Sequence, residues 1–172
     1  MKKIKSKCIW LYGLSGAGKT TIANALKVKL QSLNVNVFIL DGDIVRTGLC
    51  SDLGFSEIDR HENLRRISHL AKILVDADVF TIVSVISPYE KDRIFVKSLF
   101  NKNDLLLTYL STPLEECERR DVKGLYKKAR NGQIQNFTGI SSPFETSSIN
   151  DLSIDTSELS ISESVDILLN KI

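Results

Sequence analysis

The chain has 172 residues, of which 42% are hydrophobic and 26% charged, a composition typical of one compact globular domain. Its formal net charge of +2 argues against nucleic acid or an anionic membrane as the main partner. Cys8, Cys50 and Cys117 form no Cys-x-x-Cys pair, which argues against a zinc or redox site and favours reduced cysteines. The basic start, residues 1–5, precedes an apolar run too short for a signal peptide, so we expect a cytoplasmic protein.

Apolar runs and helical patterns alternate from one end of the chain to the other. Strands are predicted at residues 8–12, 35–40, 79–86, 105–110 and, shorter, 152–154. Helices are predicted at residues 20–33, 58–76, 90–100, 113–120 and 162–171. In the fourth helix, Thr112 is the expected N-cap and Pro113 the first helical residue. This alternation predicts an α/β fold in one domain, residues 1–172, with a parallel sheet of about five strands and helices on both faces.

The strongest motif is a complete G-x-x-x-x-G-K-[ST] loop between the first predicted strand and the first predicted helix. Its residues are Gly13-Leu14-Ser15-Gly16-Ala17-Gly18-Lys19-Thr20, followed by Thr21. The glycines allow backbone N–H groups to point at phosphate oxygens, Lys19 reaches the β- and γ-phosphates, and Thr20 ligates Mg²⁺. The sequence therefore predicts a P-loop that binds ATP and Mg²⁺, with a helix N-terminus favouring the anion.

An acidic turn, Asp41-Gly42-Asp43, ends the second predicted strand. Open α/β sheets bind ligands at the carboxyl ends of their strands, so this turn is expected beside the P-loop. A carboxylate there orients Mg²⁺ or accepts the proton of an attacking hydroxyl. We assign the metal to Asp41 with Thr20, and the catalytic role to Asp43, with Asp41 as second choice.

Four arginines follow within two dozen residues: Arg46, Arg60, Arg65 and Arg66. A kinase with an anionic acceptor needs fixed positive charge near its P-loop, and the planar fork of arginine suits phosphate and sulfate. Some of the four arginines are therefore expected to bind the acceptor, and the rest to be solvated charges on a helix face.

These residues, with several longer blocks, resemble the adenylyl-sulfate kinase family, and the resemblance extends from residue 9 to about residue 145. The blocks are Asp41-Gly42-Asp43-x-x-Arg46, Gly48-Leu49-Cys50-Ser51-Asp52-Leu53-Gly54-Phe55-Ser56, Asp59-Arg60-x-Glu62-Asn63-x-Arg65-Arg66, Ile86-Ser87-Pro88-Tyr89, residues 117–130 and Phe137-Thr138-Gly139-Ile140. The resemblance implies transfer of the γ-phosphate of ATP to the 3′-hydroxyl of adenosine 5′-phosphosulfate, a step of sulfate activation.

The resemblance also assigns site residues. Catalytic residues would be Lys19, Asp43 and Ser87; ATP would be bound by Gly13, Leu14, Ser15, Gly16, Ala17, Gly18, Lys19, Thr20, Thr21 and Arg120. The acceptor would be bound by Asp43, Arg46, Phe55, Arg60, Asn63, Ile86, Ser87, Lys123 and Phe137. Residues 119–139, which begin with a basic run, would form a mobile lid over ATP.

Two of these assignments have alternatives. Phe55 and Phe137 would sandwich the acceptor adenine, whereas without the family pattern they are better interpreted as core residues. Ser87 corresponds to a serine described in the family as a phosphorylated intermediate, but direct in-line transfer is physically simpler when both substrates can be aligned.

Two other functions compete with this interpretation. The same fold could phosphorylate another nucleotide, such as a cytidine diphosphoramidate, although the two phenylalanines and Asn63 favour adenosine. A regulatory module that binds nucleotides without turnover would be expected to have lost Lys19, Asp41 or Asp43, all of which are present. The expected partners are ATP and adenosine 5′-phosphosulfate, with a possible homodimer, and neither nucleic acid nor a membrane.

Overall fold

The computed structural model describes residues 4–146 and 148–172. Residues 1–3 and residue 147 lie outside the described residues. The predicted domain includes all four, and the predicted basic start includes the first three. The strands are β1 (Cys8–Tyr12), β2 (Val37–Asp41), β3 (Phe80–Val85), β4 (Leu105–Leu110) and β5 (Leu152–Ile154). The helices are α1 (Lys19–Ser32), α2 (Gly42–Val45), α3 (Glu57–Asp76), α4 (Glu90–Leu99), α5 (Leu114–Arg120), α6 (Leu125–Arg130) and α7 (Ile161–Leu169).

The five strands form one parallel sheet in the order β2-β3-β1-β4-β5. Strands β1 and β3 are buried along their whole length, as expected for a parallel sheet covered on both faces. Side chains of β1 alternate between two cores: Ile9 and Leu11 belong to one, Trp10 and Tyr12 to the other. The predicted α/β fold of about five strands is confirmed.

Helices cover both faces of the sheet. Leu26 of α1 and Leu168 of α7 pack in the core on one side, whereas Ile67 of α3 and Val96 of α4 pack in the core on the other. Within the described residues, no helix is both long and apolar enough to cross a lipid bilayer.

The sheet topology creates the site. Strand β1 lies in the middle, and the chain leaves it toward β2 and β3 on one side before it returns to β4 and β5 on the other. A ligand crevice forms outside the carboxyl ends of parallel strands where the strand order reverses. The P-loop follows β1, the acidic turn follows β2 and Ser87 follows β3, so all three meet at that edge.

Two local predictions around the fourth helix are corrected. Thr112 does not cap α5 and Pro113 is not its first helical residue: the helix begins at Leu114, and Pro113 occupies the N-cap position without a side-chain hydrogen bond. The Thr112 hydroxyl instead pairs with that of Thr156 at 2.8 Å and donates to the carbonyl oxygen of Ala17 at 3.4 Å. These hydrogen bonds link segments that are distant in the sequence, and capping rules that consider only neighbouring residues cannot predict them.

Candidate active site

The P-loop has a backbone that only glycine supports at key positions. Gly13 has φ +154°, and a Cβ there would lie 2.7 Å from the carbonyl oxygen of Leu110. Gly18 is the N-cap of α1 with φ +89°. Side chains at such positions would be strained or would collide, so these glycines allow the loop to curl between β1 and α1. The loop takes the strand–turn–helix position that its motif requires.

Lys19 is the first residue of α1, and its ammonium group lies against the loop. Its Nζ donates hydrogen bonds to the carbonyl oxygens of Gly13, at 3.0 Å, and Leu14, at 2.7 Å. Burial lowers the pKa of Lys19 to about 8, because a desolvated ammonium is disfavoured relative to the neutral amine. A phosphate ligand at the loop would favour the charged form again.

Oxygen donors for a cation stand side by side at the start of α1. The Thr20 hydroxyl donates to Oδ2 of Asp41 at 2.8 Å and lies 3.4 Å from the hydroxyl of Ser84. The other oxygen of Asp41 accepts the backbone N–H of Asp43 at 3.0 Å, which fixes the carboxylate. Mg²⁺ prefers oxygen ligands and commonly takes one or two protein side chains beside substrate phosphates. The residues present therefore fit the predicted Mg²⁺ site.

Asp43 lines the same cleft as the P-loop residues and the residues predicted to bind the acceptor. Its side chain is 70% exposed, and its carboxylate forms an ion pair with the ammonium group of Lys123. This contact joins the acidic turn to residues 119–139, the lid segment.

The arginines divide into two pairs. Arg46 and Arg60 line the same cleft as the P-loop, whereas Arg65 and Arg66 form ion pairs with Glu62 on the outer side of α3. Burial lowers the pKa of both cleft arginines from its ordinary value. Arg65 and Arg66 are not among the residues that line the cleft.

The two phenylalanines differ in their surroundings. Phe55 is 57% exposed, with the guanidinium carbon of Arg46 4.4 Å from its ring centroid. Phe137 is half-buried and packs edge-on against Tyr126, with ring centroids 5.0 Å apart. Arg60 donates to the carbonyl oxygens of Phe55, at 3.1 Å, and Asn136, at 2.8 Å, and so links the two ring-bearing segments. The core interpretation is wrong for Phe55 and partly right for Phe137.

Asn63 and Ser87 complete this half of the cleft. Asn63 is 6% exposed, and its Oδ1 is a buried acceptor without a hydrogen-bond partner among the described residues. Ser87 is only 1% exposed, and its hydroxyl accepts a hydrogen bond from the indole N–H of Trp10 at 3.0 Å. A hydroxyl held in this way is poorly placed to act as a nucleophile.

The lid segment touches the P-loop through two side chains. Arg120 donates to the carbonyl oxygen of Gly16 at 3.3 Å, and the Tyr126 hydroxyl donates to that of Ser15 at 2.9 Å. Arg120 also donates to the hydroxyl and the carbonyl oxygen of Thr156, both at 2.8 Å. Arg119 pairs with Glu116, which Arg120 also contacts, but the Arg119 side chain is 73% exposed. Segment mobility remains a prediction.

Thr156 is a site residue that the sequence reasoning missed. Its hydroxyl contacts Thr112, Arg120 and, at 3.1 Å, the carbonyl oxygen of Ala17. A serine-rich loop gives no signal for such a residue, because its partners come from three distant parts of the chain.

One cleft of about 850 Å³ collects nearly all the predicted residues. Those lining it are Ser15, Gly16, Gly18, Lys19, Thr20, Thr21, Asp41, Asp43, Arg46, Phe55, Arg60, Asn63, Ile86, Ser87, Arg120, Lys123 and Phe137. The remaining predicted loop residues are buried and shape the loop without lining the cleft: Gly13, Leu14 and Ala17.

A P-loop on the central strand of a parallel sheet, with an acidic turn and an arginine-lined pocket beside it, defines a P-loop kinase. Comparison with known proteins gives the particular family. The family model described as adenylylsulphate kinase matches residues 5–155. The chain belongs to the adenylylsulphate kinase family.

Relatives agree over nearly the whole chain. A protein of Bacteroides thetaiotaomicron named adenylyl-sulfate kinase is 52% identical over 97% of this chain and 83% of its own length. One of Pseudomonas aeruginosa with the same name is 48% identical over 100% of this chain and 86% of its own. The Mycobacterium tuberculosis APS kinase, solved in complex with AMPPNP and APS, has a TM-score of 0.93 at 40% identity, covering 98% of both chains.

Proposed function

We propose that this chain is an adenylyl-sulfate kinase, which transfers the γ-phosphate of ATP to the 3′-hydroxyl of adenosine 5′-phosphosulfate (APS). The products are ADP and 3′-phosphoadenosine 5′-phosphosulfate. One observation carries the proposal: the P-loop lysine, an exposed carboxylate and an arginine–phenylalanine pocket share a single cleft of about 850 Å³. A relative of 40% identity was solved with an ATP analogue and APS bound, and its fold closely matches this one.

The ATP half of the reaction belongs to the P-loop. Backbone N–H groups of the loop and the ammonium group of Lys19 would hold the β- and γ-phosphates, neutralising charge that builds up on the oxygens during transfer. Lys19 would exchange its two carbonyl partners for phosphate oxygens. Thr20 and Asp41 would hold Mg²⁺, which supplies further charge neutralisation when bound. Arg120 would cover the nucleotide from the lid segment.

The acceptor half belongs to the cationic and aromatic side chains that line the same cleft. Arg46, Arg60 and Lys123 would bind the phosphosulfate, because forked and point-like cations suit sulfate and phosphate oxygens. Phe55 and Phe137 would enclose the adenine, and Asn63 would contact the ribose. Ile86 and Ser87 would form the wall behind it.

The chemical step is a direct displacement. The 3′-oxygen of APS attacks the γ-phosphorus, the bond from that phosphorus to the β–γ bridging oxygen breaks, and ADP leaves. The proton of the 3′-hydroxyl passes to the carboxylate of Asp43, an exposed carboxylate that lines the same cleft. The indole N–H that holds the Ser87 hydroxyl supports this route over a phosphoserine intermediate.

A coupled ADP-release assay tests the proposal against its alternatives. ADP formation should require APS, and mass spectrometry should find one added phosphate on the 3′-hydroxyl. Adenosine 5′-phosphate, which lacks the sulfate, is the matched poor acceptor. Turnover with a cytidine diphosphoramidate but not with APS would reassign the substrate, and nucleotide binding without turnover on any acceptor would indicate a regulator. Cytoplasmic localisation, a single domain and a homodimer remain predictions from the sequence.

A further inference from the structure

The turn behind the acceptor pocket has a strained backbone. Ser87, at the carboxyl end of β3, has φ +46°, in the left-handed region that non-glycine residues rarely adopt. The next residue is Pro88, and a residue before proline is driven toward the extended region. Strain of this size lowers the population of a conformation by roughly a factor of five to a hundred and fifty unless neighbouring groups hold it. Ile86, Ser87 and Pro88 all line the cleft, so the strain lies in the pocket wall.

Arg93 of α4 supplies one of the contacts that hold this turn. Its Nη1 donates to the carbonyl oxygen of Ser87 at 2.6 Å, a short charge-assisted hydrogen bond. Its Nη2 donates to the carbonyl oxygen of Glu145, also at 2.6 Å. The backbone N–H of Glu145 in turn donates to the carbonyl oxygen of Pro88 at 2.8 Å. The guanidinium therefore joins the strained turn to the loop that contains Glu145.

The position of Arg93 is costly for an arginine. Its side chain is 0% exposed, and within the described residues it forms no salt bridge and its Nε has no hydrogen-bond partner. Its charge is compensated by the two carbonyls, by the nearby carboxylates of Glu145 and of two acidic residues on α4, and by the rings of Tyr12 and Phe144, whose centroids lie 4.9 and 6.0 Å from the guanidinium carbon. Replacing buried charges with well-packed apolar side chains is often neutral or stabilising, so core packing alone gives little reason for a cation here.

We propose that Arg93 is a positioning residue for the acceptor substrate, which holds the Ser87 turn in the conformation that forms the pocket wall. The inference rests on the proposed function, because it uses the assignment of this wall to APS. Arg93 does not line the cleft and so acts through Ser87. Its loss should weaken APS binding, while the P-loop, whose contacts to phosphate are made elsewhere, keeps its affinity for ATP.

Steady-state kinetics of Arg93→Met and Arg93→Lys against both substrates test the proposal. Arg93→Met should raise the KM for APS about tenfold or more, within the range set by the strain, and change the KM for ATP less than about twofold. Arg93→Lys keeps a cation but loses the fork, so it should lie between wild type and Arg93→Met. Val96→Ala is the control: Val96 is equally buried on the same helix and does not itself line the cleft. Equal changes in both KM values, or none in a folded variant, would overturn the proposal.

A double-mutant cycle with Ser87→Gly separates positioning from stability. Glycine adopts the left-handed conformation without strain, so the loss of Arg93 should raise the KM for APS by a smaller factor in the Ser87→Gly background. Additive effects would contradict the proposal. If Arg93→Met does not fold, the cycle with Arg93→Lys carries the same test. Wild-type protein that fails to phosphorylate APS refutes the proposed function, whereas active wild type without these effects refutes only the role of Arg93.

Discussion

Truncation of Phe55 gives the sharpest test of the acceptor pocket, because this side chain is 57% exposed. Substitutions at exposed positions usually change the free energy of unfolding by less than about 0.5 kcal/mol, so Phe55→Ala should fold normally. Stacking of a base on an aromatic ring is worth ~1–3 kcal/mol by alanine substitution, which predicts a rise in Kd for APS of roughly five- to a hundred-and-fifty-fold. The contact of Phe55 with Arg46 is lost from the free and the bound protein alike, so its effect on the Kd for APS largely cancels.

Calorimetric titration of Phe55→Ala with APS and, separately, with a non-hydrolysable ATP analogue measures the effect. The Kd for the analogue should stay near that of wild type, since Phe55 lies among acceptor residues. Phe55→Tyr keeps the ring and should bind APS nearly as well as wild type. Phe38→Ala is a matched control, because Phe38 is 50% exposed on β2 and outside the cleft. An unchanged Kd for APS in Phe55→Ala, or an equal loss for both nucleotides, would refute stacking on this ring.

Four further predictions concern the P-loop, the residues that contact it and the chemical step. Lys19→Ala should lower kcat roughly 10²–10³-fold or more in a folded protein, and near-normal turnover would exclude the P-loop assignment. The pKa of Lys19 is about 8 and ATP binds its ammonium form, so the Kd for ATP should rise about tenfold per pH unit above pH 8. A flat profile from pH 7 to 9.5 would contradict this. Asp43→Ala should reduce kcat far more than ATP affinity at saturating Mg²⁺, and ordinary turnover would make the turn structural. Thr156→Val should raise the KM for ATP severalfold, and Thr156→Ser, which keeps the hydroxyl, should leave it near the wild-type value. Thr108→Val, which removes a buried hydroxyl that has no hydrogen-bond partner among the described residues, should not raise it.

The sequence predicted the sheet well, because its strands are continuous apolar runs. Strand β4 has the predicted bounds. Strand β2 was predicted to begin at Val35, but it begins at Val37, since the N–H of Val35 donates to the carbonyl oxygen of Leu30 and closes the end of α1. Helix α6 was not predicted, because only two of its six residues, Tyr126 and Ala129, are buried and no apolar stripe marks it.

The site could be predicted as far as its residues belong to contiguous motifs. The P-loop and the acidic turn are short segments whose chemistry depends on neighbouring residues, and the cleft unites them. Contacts between distant segments were beyond prediction: the ion pair of Asp43 with Lys123, the junction at Thr156 and the guanidinium of Arg93 behind Ser87. Such contacts follow from topology, which periodicity and spacing do not encode.

The central position of β1 has a consequence for the folding of the chain. Cys8 of this strand pairs with Thr81 of β3 and Leu105 of β4, so the strand that precedes the P-loop gains its neighbours late during synthesis. Pairing between strands so far apart in the sequence makes folding slow. A long loop must close, at a cost in conformational entropy, before the stabilising contacts can form. A nascent or truncated chain that ends before β3 has no sheet to support the nucleotide loop. We therefore expect nucleotide binding only after β3 and β4 have joined β1.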